Sequence, residues 1–192
     1  MAGFRDYIST RRIGPAGGEV VWDDLRFPAS AVRLGGGAAA SEAAYKDGLV
    51  IEFVDNADSY LYFIAQLPHS WKEGSDIEVH IHWTLPVGGS GAGVENIKWD
   101  FTYSAANIDG TFPNSSSLSI TRDVQNDVAD HHRMTRLGYI INPNLEISNC
   151  IICSLKRDTG VADNTTLHAY IVELDFHIQL DTEGSLDQLS KT

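Results

Sequence analysis

The sequence predicts an all-β protein, a β-sandwich or jelly roll with an irregular N-terminal arm. Apolar residues occupy every second position from Ile77 to Trp83 and again from Ile97 to Tyr103, which is the period of a strand with one buried face. Turn-forming residues separate such runs at short intervals, as at Asn107–Gly110. With 192 residues, of which 43% are hydrophobic, the chain is long enough to bury a core of its own.

Several segments have the alternation or the apolar content of strands. In chain order they are Val20–Phe27, Leu49–Val54, Tyr60–Leu67, Asp76–Pro86, Glu95–Ser104, Leu118–Val124, Arg136–Ile141, Cys150–Arg157 and Thr165–Asp181. We expect the glycine-rich stretch Gly88–Gly93 to form the tip of a hairpin between two of these strands. Only Val124–Leu137 is compatible with a helix, and its pattern is weak.

The last segment is too long for one flat strand, because at ~3.3 Å per residue it would span more than about 50 Å. Its apolar residues are odd-numbered up to Ile171 and even-numbered from Val172 onward. We therefore expect a β-bulge or bend near Tyr170–Val172, which would let the strand change sheets or reach a neighbouring subunit.

The sandwich is predicted to comprise residues 20–181. Residues 1–19 show no period and form the arm, and the polar residues 182–192 form a flexible tail. The small-residue stretch Leu34–Ala44 is expected to be a flexible loop.

The chain is acidic, with 14 Lys and Arg against 26 Asp and Glu and a net charge of −12. This balance argues against nucleic acid and anionic membranes as partners, since both need a cationic protein surface. The arm is the exception, because it contains Arg5, Arg11 and Arg12. The acidic residue up to Gly18 is Asp6, so residues 1–18 carry +2 and the rest of the chain −14.

The sequence contains no apolar run of membrane-spanning length and no signal-peptide h-region, so we expect synthesis in a reducing cytosol. Cys150 and Cys153 are three residues apart on a predicted strand and would face opposite sides, which disfavours a shared zinc ion. We interpret both as small residues of the core.

The most suggestive chemical motif is His80-Ile81-His82. With Gly74 six residues before His80, it fits G-x5-H-x-H, the opening of the cupin metal motif. Side chains at i and i+2 of a strand point the same way, so two imidazoles could bind one divalent ion.

A third ligand is missing from the positions directly after His82, where a cupin-like site needs a Glu. Glu173, Asp175 or His177 could supply it, because these three share a face of the last strand. The alternative, which we adopt, is that His80 and His82 are solvated or interface residues on a polar face. On that interpretation the three histidines are only weak candidates for a metal site, and we expect no cofactor.

The remaining motifs indicate no enzyme. His131-His132 lies in a polar stretch that is typical of a surface loop, and Gly88–Gly93 lacks the Lys-Ser/Thr ending of a phosphate-binding loop. The G-x-S-x-G elbow of the α/β-hydrolases is absent from the sequence. The sequence therefore predicts a protein that is not an enzyme.

Some strands carry more aromatic surface than one sandwich needs. Tyr60 and Tyr62 lie opposite the apolar face of their own strand, and Trp22 shares a face with Asp24 and Arg26. Aromatic residues and Arg are the frequent anchors of protein interfaces, so we predict that these five residues contact other subunits. The alternative is a thick single-subunit sandwich in which loops or the second sheet cover them.

Three stretches carry a family resemblance: Trp22–Ala29 (WDDLRFPA), Leu67–Trp83 with its LPHSWKEG and VHIHW runs, and Tyr103–Pro113 (YSAANIDGTFP). As a set they resemble short all-β proteins encoded among the virion structural genes of tailed bacteriophages. The resemblance implies a non-enzymatic virion component, often a trimeric jelly roll, such as a capsid decoration (cement) protein.

The leading hypothesis is therefore a homotrimeric decoration protein on the outer surface of the phage head. Its partners would be the major capsid protein, contacted by Arg5, Arg11 and Arg12 of the arm, and further copies of itself. A tail or head-fibre protein for host adsorption, a cupin-like enzyme using His80 and His82, and a carbohydrate-binding module are the alternatives.

Overall fold

A computed structural model describes residues 20–35, 40–142, 144–181 and 184–185. These residues form two antiparallel β-sheets packed face to face, which confirms the predicted β-sandwich. The eleven strands of the described part are β1 (Val21–Pro28), β2 (Arg33–Leu34), β3 (Ser41–Tyr45), β4 (Gly48–Phe53), β5 (Ser59–Gln66), β6 (Ile77–Thr84), β7 (Asn96–Ala106), β8 (Ser116–Asp123), β9 (Arg133–Ile140), β10 (Cys150–Arg157) and β11 (Ala169–Leu180).

One sheet has six strands and the other has five. The six-stranded sheet has the order β3-β4-β11-β6-β9, and β1 also pairs with β11. The five-stranded sheet has the order β2-β5-β10-β7-β8. Consecutive strands are therefore often in different sheets, as in a jelly roll.

The long strand β11 contains the predicted bulge, because its pairing with β6 shifts between Ile171 and Glu173. On its other side, β11 pairs with β4 up to Ile171 and with β1 from Glu173 to Leu180. The bulge thus lies where β1 replaces β4 as the neighbour of β11. The whole strand stays in one sheet, so the change of sheet that the bulge would allow does not occur.

The core between the sheets is built from the inward positions of the alternating strands. Trp71, Trp83 and Trp99 are fully buried. A cluster of four phenylalanines joins the sheets, with ring centroids 4.6–6.2 Å apart: Phe27, Phe63, Phe101 and Phe176. Aromatic rings in such edge and tilted contacts dominate the packing energy of a core.

A buried arginine also links the two sheets. Arg157 of β10 is fully buried, and its guanidinium donates to the two carboxylate oxygens of Asp163 at 2.8 and 2.9 Å. It also donates to the backbone oxygens of Phe53 in β4 and Leu167 before β11. Because each buried donor group has an acceptor, the charge is satisfied, and the loop after β10 is held against both sheets.

Three of the local predictions are wrong. Leu34–Ala44 is not a loop at its ends, because Leu34 belongs to β2 and Ser41–Ala44 pair with β4 as part of β3; residues 36–39 lie outside the described residues. Val124–Leu137 contains no helix; a turn leads into β9, and Arg133 holds this turn through Asp127 at 2.6 Å.

Gly88–Gly93 is the third, since β6 and β7 belong to different sheets and the loop connects the sheets instead of closing a hairpin. Gly89 and Gly91 donate backbone hydrogen bonds to Asp127 and Gln125. A Cβ at Gly89 would lie 2.2 Å from the backbone oxygen of Val124, so only glycine fits here.

The predicted arm, with Arg5, Arg11 and Arg12, lies outside the described residues, as does most of the predicted tail 182–192. Within the described ranges there is no helix long and apolar enough to cross a membrane.

Candidate functional site

The outward side of the six-stranded sheet gathers histidines and carboxylates into one cluster. Strand alternation buries Ile77, Val79, Ile81 and Trp83 of β6 in the core, so the residues between them face outward. We call the cluster the histidine face; it consists of Glu78, His80 and His82 of β6, Asp175 and His177 of β11, and Asp24 of β1.

Strand register brings these residues together. His80 is directly opposite Asp175, and Glu78 is opposite His177. On the other side of β11, Asp24 is opposite His177. The sheet therefore brings His80 and His82 next to residues of the last strand, the arrangement that the sequence analysis considered but did not adopt.

Asp175 is the centre of the cluster, and three imidazoles surround its carboxylate. The Nε2 atom of His82 lies 3.1 Å from Oδ1, and the Nε2 atom of His177 lies 3.1 Å from Oδ2. The Nδ1 atom of His80 lies 3.8 Å from Oδ2. Asp175 and His80 are both only 2% exposed. Within the described part of the chain, only histidines form ion pairs with Asp175.

A second layer of groups fixes the imidazoles. Glu78 accepts a hydrogen bond from Nε2 of His80 at 2.9 Å and is itself paired with Arg136 at 3.2 Å. Asp24 lies 2.9 Å from Nε2 of His177. The Nδ1 atom of His82 is 2.8 Å from Nε2 of His132. Each ring is thus held in a defined orientation by a neighbour as well as by its own strand.

Burial and charge act in opposite directions on the pKa values of this cluster. Burial favours the neutral form of His80, but the carboxylates of Asp175 and Glu78 outweigh it and raise the pKa of this imidazole. Burial likewise favours protonated Asp175, but the three imidazoles outweigh it and lower the pKa of this carboxyl. The carboxylates therefore favour the protonated form of His80, and the imidazoles favour the ionised form of Asp175.

The outward side of the five-stranded sheet has a different character. In β5, Leu61 and Phe63 face the core, so Tyr62 and Ile64 face solvent. Ile64 is 66% exposed, and its cross-strand partner Ile152 in β10 is 46% exposed. We call Tyr60, Tyr62, Ile64 and Ile152 the tyrosine face.

The two tyrosine rings on this face are parallel. The ring centroids of Tyr60 and Tyr62 are 6.4 Å apart, and their planes differ by 6°. Tyr62 is 37% exposed, whereas Tyr60 is half-buried beneath the ammonium group of Lys156. The tyrosine face is therefore an exposed apolar patch with aromatic groups at one end.

Charged residues border this patch at the Tyr60 end, and each carboxylate there has a lysine partner. Lys156 lies 2.8 Å from Asp58 and 2.9 Å from Asp158, and Lys98 pairs with Asp158 and Asp100. The hydrogen bonds from Lys98 and Lys156 lower the pKa of Asp158 to about 2. The charges of this border are satisfied within the protein.

The structure places the predicted interface residues in two separate groups. Trp22, Asp24 and Arg26 lie on β1 in the six-stranded sheet, whereas Tyr60 and Tyr62 lie on β5 in the other sheet. Both groups face outward, but they are on opposite sides of the sandwich. They therefore cannot form one continuous contact surface.

Two of the three suggested third ligands enter the cluster. Asp175 and His177 lie in the cluster with His80 and His82. Glu173 instead forms an ion pair with Arg26 at 2.6 Å and does not contribute to the cluster. Glu78 and His132 were missed. The sequence contained a signal for Glu78, because this residue is two positions before His80 on the same strand. It contained no signal for His132, which reaches His82 from a loop.

The cysteines agree with the prediction that they face opposite sides. Cys153 is buried among the core residues, and burial raises the pKa of its thiol. Cys150 is only half-buried at the start of the same strand and is not part of the core, so the interpretation of both cysteines as core residues is wrong for Cys150. Both cysteines are free.

No family model matches the chain, and no curated protein matches its sequence. Several solved structures are similar to it. A family 11 carbohydrate-binding module from Clostridium thermocellum, in complex with a mixed-linked tetrasaccharide, is 10% identical with a TM-score of 0.39, over 86% of this chain and 94% of the module.

Two larger proteins match over a small part of their own length. The chain matches 24% of an arabinose-bound α-L-arabinofuranosidase, with 80% of this chain covered, 10% identity and a TM-score of 0.39. It matches 19% of the enzymatically active domain of tailspike protein 4 of bacteriophage CBA120, with 84% of this chain covered, 8% identity and a TM-score of 0.33. At these identities and TM-scores the likeness assigns the chain to none of these families.

Proposed function

We propose that the chain is a non-enzymatic structural subunit of a tailed-bacteriophage virion, and that it self-associates through the tyrosine face. The observation that carries the self-association is the exposed cross-strand pair Ile64 and Ile152 next to Tyr62. The sequence resemblance to virion proteins supports the setting, and a decoration protein of the head is the form of it that we favour.

The energetic argument rests on exposed apolar side chains that the sheet itself cannot cover. Complete burial of one isoleucine contributes about 1.5–3 kcal/mol of transfer free energy. Contiguous apolar patches on a protein surface mark interaction sites, and tyrosine is enriched in them. A contact that covers Tyr62, Ile64 and Ile152 would therefore be favourable without any new ion pair.

Charge supports a second copy of this chain as the occupant. A chain with a net charge of −12 repels its own copies unless they meet on a face with little net charge. The border of the tyrosine face meets this condition, because Lys98 and Lys156 offset most of the charge of its three aspartates. Its internally paired charges would form the polar rim of such an interface. Because the arm is basic, we assign the contact with the major capsid protein to the arm and not to the tyrosine face.

Light scattering on the full chain at high micromolar concentration tests this proposal. We expect a mass that is a multiple of 21.0 kDa, and a trimer if the resemblance holds in full. Ile64→Lys should reduce the mass to that of one chain, whereas Leu49→Lys should not; Leu49 is equally exposed, at 66%, on β4 of the other sheet. A wild-type mass of 21.0 kDa, or the same loss in both variants, would refute the self-association.

Host-surface adsorption is the second candidate function, and the exposed ring of Tyr62 favours it. Aromatic side chains with exposed faces can stack on sugar rings. Glycan-array binding that is lost in Tyr62→Ala and kept in Leu49→Ala would support adsorption. Absence of glycan binding by the wild-type chain would exclude it.

A further inference from the structure

We propose that His80, His82 and Asp175 bind one divalent transition-metal ion on the histidine face, with His177 beside the open coordination position. This site is independent of self-association, since it lies on the opposite side of the sandwich from the tyrosine face. The ion class is that of zinc, because two imidazoles and one carboxylate with an open position are a common catalytic-type zinc set.

The first argument is the arrangement of the donor atoms. The three residues each offer a ligand atom, and these atoms lie within 4.8 Å of one another. Around a tetrahedral zinc with bonds of about 2.0–2.1 Å, ligand atoms are about 3.3 Å apart. The separation is 3.1 Å from Oδ1 of Asp175 to Nε2 of His82, and 3.8 Å from Oδ2 of Asp175 to Nδ1 of His80. A rotation of the carboxylate that presents one oxygen to both rings would complete the site.

The second argument is that two polar atoms buried in the cluster have no hydrogen-bond partner. They are Nδ1 of His80 and Oδ1 of Asp175; Nε2 of His82 lies 3.1 Å from that oxygen without a hydrogen bond to it. In neutral His80, Nε2 carries the proton and donates a hydrogen bond to Glu78. The unprotonated Nδ1 then directs its lone pair toward the Asp175 carboxylate. An unpaired lone pair in a buried site is costly, and a cation between Nδ1 of His80 and the Asp175 carboxylate would remove that cost.

The third argument is charge. Asp24, Glu78 and Asp175 place three negative charges in the cluster, and Arg136 contributes one positive charge through Glu78. With neutral imidazoles, the cluster therefore carries a formal charge of −2, which one divalent ion neutralises. Glu78 then acts as the outer carboxylate that orients a metal-binding histidine.

The site is reachable from solvent. The His82 side chain is 19% exposed and the His177 side chain is 33% exposed, whereas Asp175 lies beneath them. An ion would enter from the sheet surface and meet Asp175 between the rings. A proton shared between His80 and Asp175 is the competing occupant, and the experiment below distinguishes it from a metal ion.

The test is calorimetric titration of the EDTA-treated full chain with ZnCl₂ at pH 7.5. We expect one Zn²⁺ per chain and, at one hundred times the Kd, a rise in Tm of about 5–10 °C. His82→Gln and Asp175→Asn should each weaken Zn²⁺ binding by more than about 100-fold. Loss of an outer-shell partner alone costs about 10–100-fold, and these two residues are ligands. Circular dichroism of each variant confirms that it is folded.

His168→Gln is the matched control, because His168 also contacts two carboxylates, Glu52 at 2.8 Å and Asp55 at 3.3 Å, outside the cluster. Unchanged affinity in this variant supports the proposed site. Absence of Zn²⁺ binding by the wild-type chain would overturn the proposal and leave the shared proton as the occupant. Equal loss in His168→Gln and His82→Gln would overturn it as well.

Discussion

The outward faces of the two sheets neutralise their carboxylates in different ways. On the border of the tyrosine face, Asp58 and Asp158 each contact the ammonium group of Lys156. On the histidine face, the ion-pair partners of the buried Asp175 among the described residues are all imidazoles. A lysine is a permanent cation at neutral pH, whereas a neutral imidazole is a ligand. The carboxylates of the first face therefore already have permanent cationic partners, whereas the carboxylate of the second face can still bind a cation.

Apolar exposure differs in the opposite sense. The tyrosine face exposes Ile64 and Ile152 side by side, whereas the centre of the histidine face is polar. One side of the sandwich is thus suited to a protein contact and the other to a small charged ligand. The same alternation of strands produces both, since each strand delivers every second residue to its outer side.

The largest expected effect comes from breaking the link between the sheets. Arg157→Met leaves Asp163 buried without its partner, and loss of one member of a buried ion pair costs about 3–5 kcal/mol. Urea unfolding should show this loss of stability. Arg122→Met, whose arginine is 44% exposed and 3.6 Å from Asp127, should cost less than about 1 kcal/mol. Equal effects in the two variants would show that the buried link does not hold the faces together.

The next largest effect concerns the protein contact. Ile152→Lys should weaken self-association by about 10–100-fold, because the contact loses the burial of an apolar side chain that is 46% exposed and must instead desolvate an ammonium group. Sedimentation equilibrium measures the change. Ile141→Lys is the control, since Ile141 is 67% exposed but lies in the loop after β9. An unchanged association constant in Ile152→Lys would place the contact elsewhere.

A smaller effect is expected from the charged border. The pKa of Asp158 is about 2 in the folded chain and close to 3.9 when unfolded, so its ionised form stabilises the fold above about pH 4. Asp158→Asn should lower the Tm at pH 7 by about 1–4 °C. As the pH falls from 4 toward 2, the wild-type chain should lose this advantage. A difference in Tm that stays constant down to pH 2 would contradict the lysine pairing.

The smallest effect is predicted for Trp22, although the sequence pattern indicated an interface residue. Trp22 is 47% exposed at the edge of the six-stranded sheet, on the side away from the tyrosine face. Trp22→Ala should leave the association constant within about twofold, since the residue lies on the opposite side of the sandwich from the proposed contact. A large loss of association would move the contact to the histidine face and merge the two roles.

The sequence was sufficient where a short-range pattern decides the structure. Alternation identified the outward positions of Tyr62 and Trp22, and the change of phase after Ile171 located the bulge in β11. It could not show that β6 and β7 lie in different sheets, because the choice of partner strand depends on packing over the whole sandwich.

The candidate metal site shows the same limit. The spacing of His80 and His82 was visible, but the position of Asp175 opposite His80 depends on cross-strand register, which no local pattern encodes. The approach of His132 depends on how a loop folds over the sheet. The electrostatic difference between the two faces therefore became visible only once the strands were paired.

Native mass spectrometry of the full chain with Zn²⁺ tests the separation of the two faces most directly, because one spectrum reports both subunit number and bound metal. We predict an oligomer with one Zn²⁺ per chain. Ile64→Lys should give a 21.0 kDa monomer that still carries one Zn²⁺, and Asp175→Asn should give a metal-free oligomer. A wild-type monomer without metal, or loss of both properties in either variant, would contradict the account.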